Sequence, residues 1–415
     1  MASRILIDLG PLRESRGFRL LFTGQLVGVF ASQLTTVAIP FQVYALTRSS
    51  LQVGAVSLAQ LGPLILGALI GGSLGDAIDR RLIMVVTSVL LALTTGGLAV
   101  NAASAHPSLL AIYLVSAAAT GLGGVDSTAY YAAVPTIVGP ARLVAAYASM
   151  QVIDQVGLVV GPALAGLLIG AVHLQWVYAL AGLIYLLTAL TAVLMPAIPP
   201  APGARRPGLG SVAEGLRYLR GRQVLQGVYL VDINAMVFGM PRALFPALAA
   251  TVFHGGPRTL GYLYAAPAAG ALVGALTTGW LERIRRYGWA VIVAVCVWGA
   301  AIVAFGLVTV LWVALVLLAV AGWADVISAV LRSTILQRSV PEEFRSRISS
   351  VQIAVVEGGP RLGDLESGTV ASLVSTEFAI VSGGLACIAG AILLAGLLPG
   401  FRHYRTGPEP LASQA

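Results

Sequence analysis

The chain contains no lysine, four histidines, two cysteines and few charges of any kind: only 10% of its 415 residues are Asp, Glu, Lys or Arg. Each shortage excludes something. Cys296 and Cys387 sit in apolar stretches far apart in sequence, so neither a disulfide framework nor a metal-ligand cluster is implied. His106, His173, His254 and His403 fall at loops or segment ends. With no nucleophile–base pair, no phosphate-cradling loop and no metal or other cofactor expected, an enzyme is not expected either. The poverty of charge also argues against a soluble all-helical protein, because a run such as residues 82–100 has no polar face. A cleavable leader is not expected either: MASRILIDLGPLRESRGFR is charged, lacks a cleavage site, and reads as a short amphipathic lead-in.

What is present is apolar. Hydrophobic residues make up 58% of the chain and mean hydropathy is +0.89. A membrane-spanning helix needs about 20 mostly apolar residues. Twelve segments meet that need: 18–46, 51–75, 82–104, 108–135, 143–171, 176–196, 223–250, 259–281, 289–309, 311–336, 346–373 and 378–400. The fold class expected is an all-α membrane protein of twelve helices.

The net charge of +8 does not point to nucleic acid, because its distribution follows the membrane. With the N-terminus inside, 20 arginines lie in cytoplasmic loops and ends, and only Arg48 and Arg258 lie outside. That bias places both termini in the cytoplasm and requires an even number of spans.

Ten charges break the apolar segments: Asp126, Asp154, Asp232, Asp325, Glu357, Asp364 and Glu366, with Arg242, Arg332 and Arg361. One charge at a lipid-facing helix centre costs roughly 2.5–3.5 kcal/mol. These side chains must therefore face one another, backbone groups or water. A polytopic protein with a polar interior is most simply a transporter, and the carboxylates are its proton-coupling candidates.

The stretch AIPPAPGARRPGLGS divides the chain. It predicts a six-helix bundle over 1–196, a cytoplasmic linker with a surface helix over 197–222, and a second six-helix bundle over 223–415. The junction Gly72-Ser-Leu74-Gly-Asp76-Ala-Ile-Asp79-Arg80-Arg81 is echoed by Gly279-Trp-Leu281-Glu282-Arg283. Parallel repeats of this kind build two-bundle transporters.

These features resemble the major facilitator superfamily over the whole chain. Gly72, Leu74, Asp76, Arg80 and Arg81 match its gating signature between the second and third helices, with Ala77 and Asp79 where Arg and Gly are usual. Asp76 is expected to hold Arg80 at i+4. In the fifth segment, Gly157, Gly161, Pro162 and Gly166 are similar to the motif of exporting antiporters. PSLLAIYLV, LFPALA and GYLYAAPAAGALVGALTTG look like the siderophore-exporting branch, the enterobactin exporter family. The resemblance implies proton-driven export of a siderophore or related amphipathic small molecule through the bacterial inner membrane by a monomer. Most of the intramembrane charges have no clear charged counterpart in that branch, so fold and direction transfer better than cargo.

The charges lie in segments 4, 5, 7, 10 and 11 and avoid 3, 6, 9 and 12, which are peripheral in the superfamily. Glu357, Arg361 and Asp364 fall at i, i+4 and i+7, on one expected helix face, with Pro360 expected to kink or open the helix. Glu357 and Arg361 form an expected ion pair, leaving Asp364 or Glu366 less compensated. Tyr130, Tyr131, Tyr229, Phe238, Tyr262, Tyr264 and Trp323 are candidates to stack on substrate. Two other readings stand beside this one: a multidrug or macrolide efflux pump, and a non-transporting membrane receptor or scaffold. The second would not need ionisable residues in the cavity helices.

Overall fold

The computed structural model describes residues 10–199, 214, 216–341 and 344–405, and every regular element among them is helical. The long helices are α1 (Arg16–Thr47), α2 (Ser50–Gly75), α3 (Arg80–Ala103), α4 (Leu109–Val138), α5 (Leu143–Ala171), α6 (Leu174–Val193), α7 (Gln223–Phe238), α8 (Gly256–Leu276), α9 (Tyr287–Gly306), α10 (Leu311–Ser339), α11 (Arg345–Leu373) and α12 (Thr376–Leu397). Short polar side chains start several of them. Ser15, Ser49, Ser108 and Ser375 each accept a hydrogen bond from the backbone N–H three residues on, filling an orphan donor of the first turn.

Among the described residues, eleven segments are long and apolar enough to cross a membrane: α1–α6, Gln223–Thr251, α8, α9, α10 and α12. Helix α11 has the length, at 29 residues, but falls outside this set. Its six charged residues, Arg345, Arg347, Glu357, Arg361, Asp364 and Glu366, lower its hydropathy.

The chain forms two compact units: Met1–Gly208 with His254–Ala265, and Leu209–Phe253 with Ala266–Ala415. Residues 254–265 group with the first unit. Most of the expected linker, 200–213 and Gly215, lies outside the described residues.

In the first unit, α2 packs on α4, α3 on α6 and α4, and α1 on α5 and α6. Lipid removes the hydrophobic drive for helices to associate, so close backbone contact must hold them. Gly67, Gly71 and Gly124 supply it. A methyl group at Gly71 would lie 2.7 Å from the Val125 Cα, and one at Gly124 would lie 2.8 Å from the Leu64 carbonyl. One end of the unit closes on a cluster including Phe18, Leu21, Met84, Tyr130, Met150 and Met195.

In the second unit, α9 packs on α10 and α12, and α7 on α11 and α12. Helix α7 stops at Phe238, where one unbroken helix over 223–250 was expected. Gly239 and Pro241 break it. The chain then makes a 3-10 turn, Arg242–Leu244, and a short helix, Phe245–Thr251. A freed carbonyl at membrane depth needs a donor, and the Trp298 indole supplies one to the Gly239 oxygen at 2.9 Å. Helix α11, by contrast, remains continuous through Pro360 where a kink or opening was expected. Gly359 and Gly363 press its face against Met236 and Val237 of α7 and hold it in place.

Candidate functional site

The first unit holds two carboxylates, neither paired with an arginine among the described residues. Asp126 of α4 accepts a 2.6 Å hydrogen bond from Thr87 of α3. Asp154 of α5 accepts from the Gln25 amide of α1 and from the Tyr131 hydroxyl, each at 3.3 Å. Tyr130 and Tyr131 meet edge to face, with ring centroids 5.3 Å apart. A cavity of about 30 Å³ lies beside them, lined by Gln25, Ser88, Asp126, Tyr130, Thr188 and Thr191 among others.

The second unit instead pairs its charges. Arg332 of α10 is buried between Asp232 of α7, with which it forms a direct ion pair, and Asp325, two turns back on the same face of α10, at 3.9 Å. Asp232 is 6% exposed and Asp325 31%, so the two acids differ in access to water. The Arg332 Nε also donates to the Ser328 carbonyl at 3.4 Å.

The break after α7 makes the second cluster. It sets Arg242 on a turn, 3.9 Å from Asp364 of α11, and directs the Ala243 N–H onto the other Asp364 oxygen at 3.1 Å. Of the two acids expected to be less compensated, Asp364 or Glu366, Asp364 is thus the well compensated one. Glu357 and Arg361 pair at 3.2 Å as expected, but Glu357 is 49% exposed while Asp364 is 8% exposed. Seven residues of helix come within about 20° of two full turns, yet the 3.6-residue drift and the close α7 contact separate the two environments. Glu366 makes no ion pair among the described residues.

The gating signature is built differently from expectation. Residues 76–79 form a turn, so the i+4 geometry that would join Asp76 to Arg80 is lost. Asp79 caps α3 by accepting from the Arg81 N–H, and accepts from the Ile198 N–H as well, both at 2.9 Å. Arg80 turns inward to the Ala132 carbonyl and Thr136 hydroxyl of α4, at 3.1 and 3.2 Å. Arg81 donates to the Val193 carbonyl. Gly72 and Leu74 lie in the last turns of α2, half-buried. At the repeat junction Arg283 is exposed, so the sequence echo is not an echo of contacts.

The antiporter-type motif lies on close contacts of α5. Gly157 faces Val29 and Gly161 faces Gln33 of α1, while Gly166 meets Pro257 and Gly261 at the start of α8. Pro162 offers its carbonyl side to Gly261. Among the aromatic candidates, Tyr229 donates to the Ile348 carbonyl at 3.1 Å, a buried tie between α7 and α11. Trp323 donates to Thr277 at 3.3 Å. Tyr262 is 39% exposed, Tyr131 46%, and Phe238 and Tyr264 are half-buried. Sequence reasoning missed Thr87, Gln25 and Ser88. The signal available was uncharged polar residues within apolar helices.

Residues 7–404 match the family described as Transmembrane secretion effector. The chain is 30% identical over 411 residues to a protein named enterobactin exporter EntS from Escherichia coli strain K12, covering 99% of both. It belongs to the enterobactin exporter family of the major facilitator superfamily. A relative of the same name from Shigella boydii is 31% identical over the same 411 residues. Solved transporters share the fold at low identity. The nucleoside transporter NupG aligns with a TM-score of 0.75 at 11% identity, over 92% of this chain and 99% of that one. A bacterial homolog of the human lysosomal transporter Spinster aligns at 0.69 and 16%, over 94% and 98%. This family member is a multi-span membrane transport protein and not an enzyme.

Proposed function

We propose that the protein is a proton-driven exporter that moves a siderophore, or a related amphipathic small molecule, out through the cytoplasmic membrane. The observation that carries this reading is the whole-length likeness to proteins named enterobactin exporter. In this reading α11 spans as well, giving twelve spans in two six-helix bundles, 1–196 and 223–415, joined by a cytoplasmic linker. The arginine bias, 20 residues against two, supports that even count and places both termini in the cytoplasm. The molecule works as a monomer in the bilayer, with the proton gradient as its only energy source and no cofactor.

Proton exchange is supported by a mismatch of charge. Away from the ends of the spanning segments, seven carboxylates stand against three arginines, Arg242, Arg332 and Arg361. Unpaired acids at low dielectric favour their neutral form unless water or a cation reaches them. Such groups bind and release protons as their surroundings change, which an antiporter needs. The gating turn at Asp76–Arg81 and the α5 glycines would control access.

Two measurements test the proposal. A strain lacking the gene, grown under iron limitation, should retain siderophore inside the cell and secrete less; unchanged secretion removes the cargo assignment. Inverted vesicles carrying the protein should accumulate siderophore on an imposed proton gradient and lose the activity on adding a protonophore. Uptake that survives the protonophore removes proton coupling.

A further inference from the structure

The cavity of the first unit carries more than a packing defect would. About 30 Å³ of space is room for about two water molecules, provided the walls are polar. They are. Tyr130 is 4% exposed, lines the cavity, and its hydroxyl has no hydrogen-bond partner among the described residues. Ser88 is 2% exposed, lines the same cavity, and its hydroxyl bonds nothing among the described residues. Asp126, on the same helix as Tyr130 and one turn before it, has one hydrogen bond, from Thr87, leaving most of its acceptor capacity unused. A dry cavity would leave the buried Tyr130 hydroxyl unsatisfied, which native interiors avoid, beside a Ser88 hydroxyl and a second Asp126 oxygen that have no partner among the described residues.

The electrostatic surroundings are equally particular. Helices α2, α3, α1 and α5 pack against α4. From α3 the group facing Asp126 is the Thr87 hydroxyl, and α2 holds no charged residue. From α1 comes neutral Gln25, which lines the cavity and donates its amide to Asp154 of α5. Tyr185 of α6, itself bonded to Ser32, lies within electrostatic range of Asp126, as does Tyr130. No arginine pairs with Asp126 among the described residues.

We propose that this cavity is a hydrated proton-binding pocket, in which ordered water bridges Asp126, Ser88 and Tyr130 and Asp126 holds the exchanged proton. A hydronium entering the pocket gives its proton to an Asp126 oxygen, leaving a neutral acid and a water; release reverses the step with no other reactant. Gln25 positions the water and does not ionise. The pocket is lined by Leu20, Met84 and Met195, near the helix ends that carry Arg19, Arg80 and Arg81. In the proposed topology that end is cytoplasmic, so the pocket serves proton release on that side. This rests on the proton-exchange reading and adds the place where the proton waits.

The test uses purified full-length protein in lipid, followed by infrared difference spectroscopy during a pH titration. Wild type should show a protonated-carboxylic-acid carbonyl band that titrates, is lost in Asp126→Asn, and shifts in Tyr130→Phe and Ser88→Ala. Radiolytic hydroxyl-radical footprinting should oxidise Tyr130 in wild type despite its burial, and do so several-fold less in Ser88→Leu. An unchanged band in Asp126→Asn with no labelling of Tyr130 overturns the proposal. A band that responds to sodium at fixed pH also overturns it, marking a metal-cation site instead. If the band behaves as expected while transport resists a protonophore, the pocket stands and the proton-driven reading fails.

Discussion

At the scale of single residues, the two units treat buried charge in opposite ways. In the second unit Arg332 is the centre: it holds Asp232 directly and Asp325 at a distance. Removing one partner of a buried ion pair costs about 3–5 kcal/mol, because the other charge is left stranded. Asp232→Asn should therefore lower the melting temperature in detergent strongly. Asp325→Asn leaves the direct pair intact and should melt close to wild type, while flattening the dependence of transport on pH. The same contrast applies at the α2–α3 turn. Asp79→Ala removes a helix cap and the bond to Ile198, a loss of about 1–2 kcal/mol visible in a thermal melt. Asp76→Ala, with no side-chain bond among the described residues, should change stability by less than about 0.5 kcal/mol. All of these charged residues were legible in the sequence, since a charge in an apolar run is conspicuous. Their partners were not: which helix Arg80 reaches depends on the direction of a turn, and the i+4 expectation assumed a helix where residues 76–79 leave it.

At the scale of elements, the long helices were the most legible part of the chain. The expected segment 51–75 is Ser50–Gly75, and 346–373 is Arg345–Leu373. Apolar length bounded by charge and by capping serine is a one-dimensional signal that needs no tertiary information. The interruption of α7 was not foreseen, although Gly239 and Pro241 announce it, because the segment stays mostly apolar across 239–250, with Arg242 its single charge. Helix pairing was only partly legible. Small residues marked the α5 contacts, but not the α2–α4 or α8–α10 contacts, where Gly270 meets Ala319 and Gly322 meets Pro267. Gly67→Val or Gly322→Val should abolish the monodisperse peak in size-exclusion chromatography, since backbone atoms cannot yield. Gly62→Ala and Gly96→Ala, with nothing within 4 Å, should leave the peak unchanged.

At the scale of the whole molecule, the reading of twelve spans makes a topological prediction. Cysteines placed at Arg48, Arg258 and Val374 should react with an impermeant thiol reagent from outside intact cells, and cysteines at Arg142 and Arg283 should not. Labelling of the Arg283 and Arg48 positions from the same side would require an even number of spans between them, where the twelve-span reading has seven, and would overturn that reading. The expected orientation rests on the arginine distribution alone, and this labelling tests it. The pairing of residues 254–265 with the first unit was not legible in the sequence, because contact between segments so far apart leaves no local pattern.

The ion pair between Arg242 and Asp364 also bears on how the chain is made. During synthesis α7 emerges well before α11, and α11 is the helix whose apolarity is weakest. Alone at the lateral gate of the insertion machinery, α11 has little reason to enter lipid. It acquires one only when the turn after α7 already offers a cation and a backbone donor. If α11 spans, as proposed, biogenesis of this protein has an order built into it: a mutation at Arg242 would first be felt as a nascent helix that fails to leave the insertion channel, before any effect on transport.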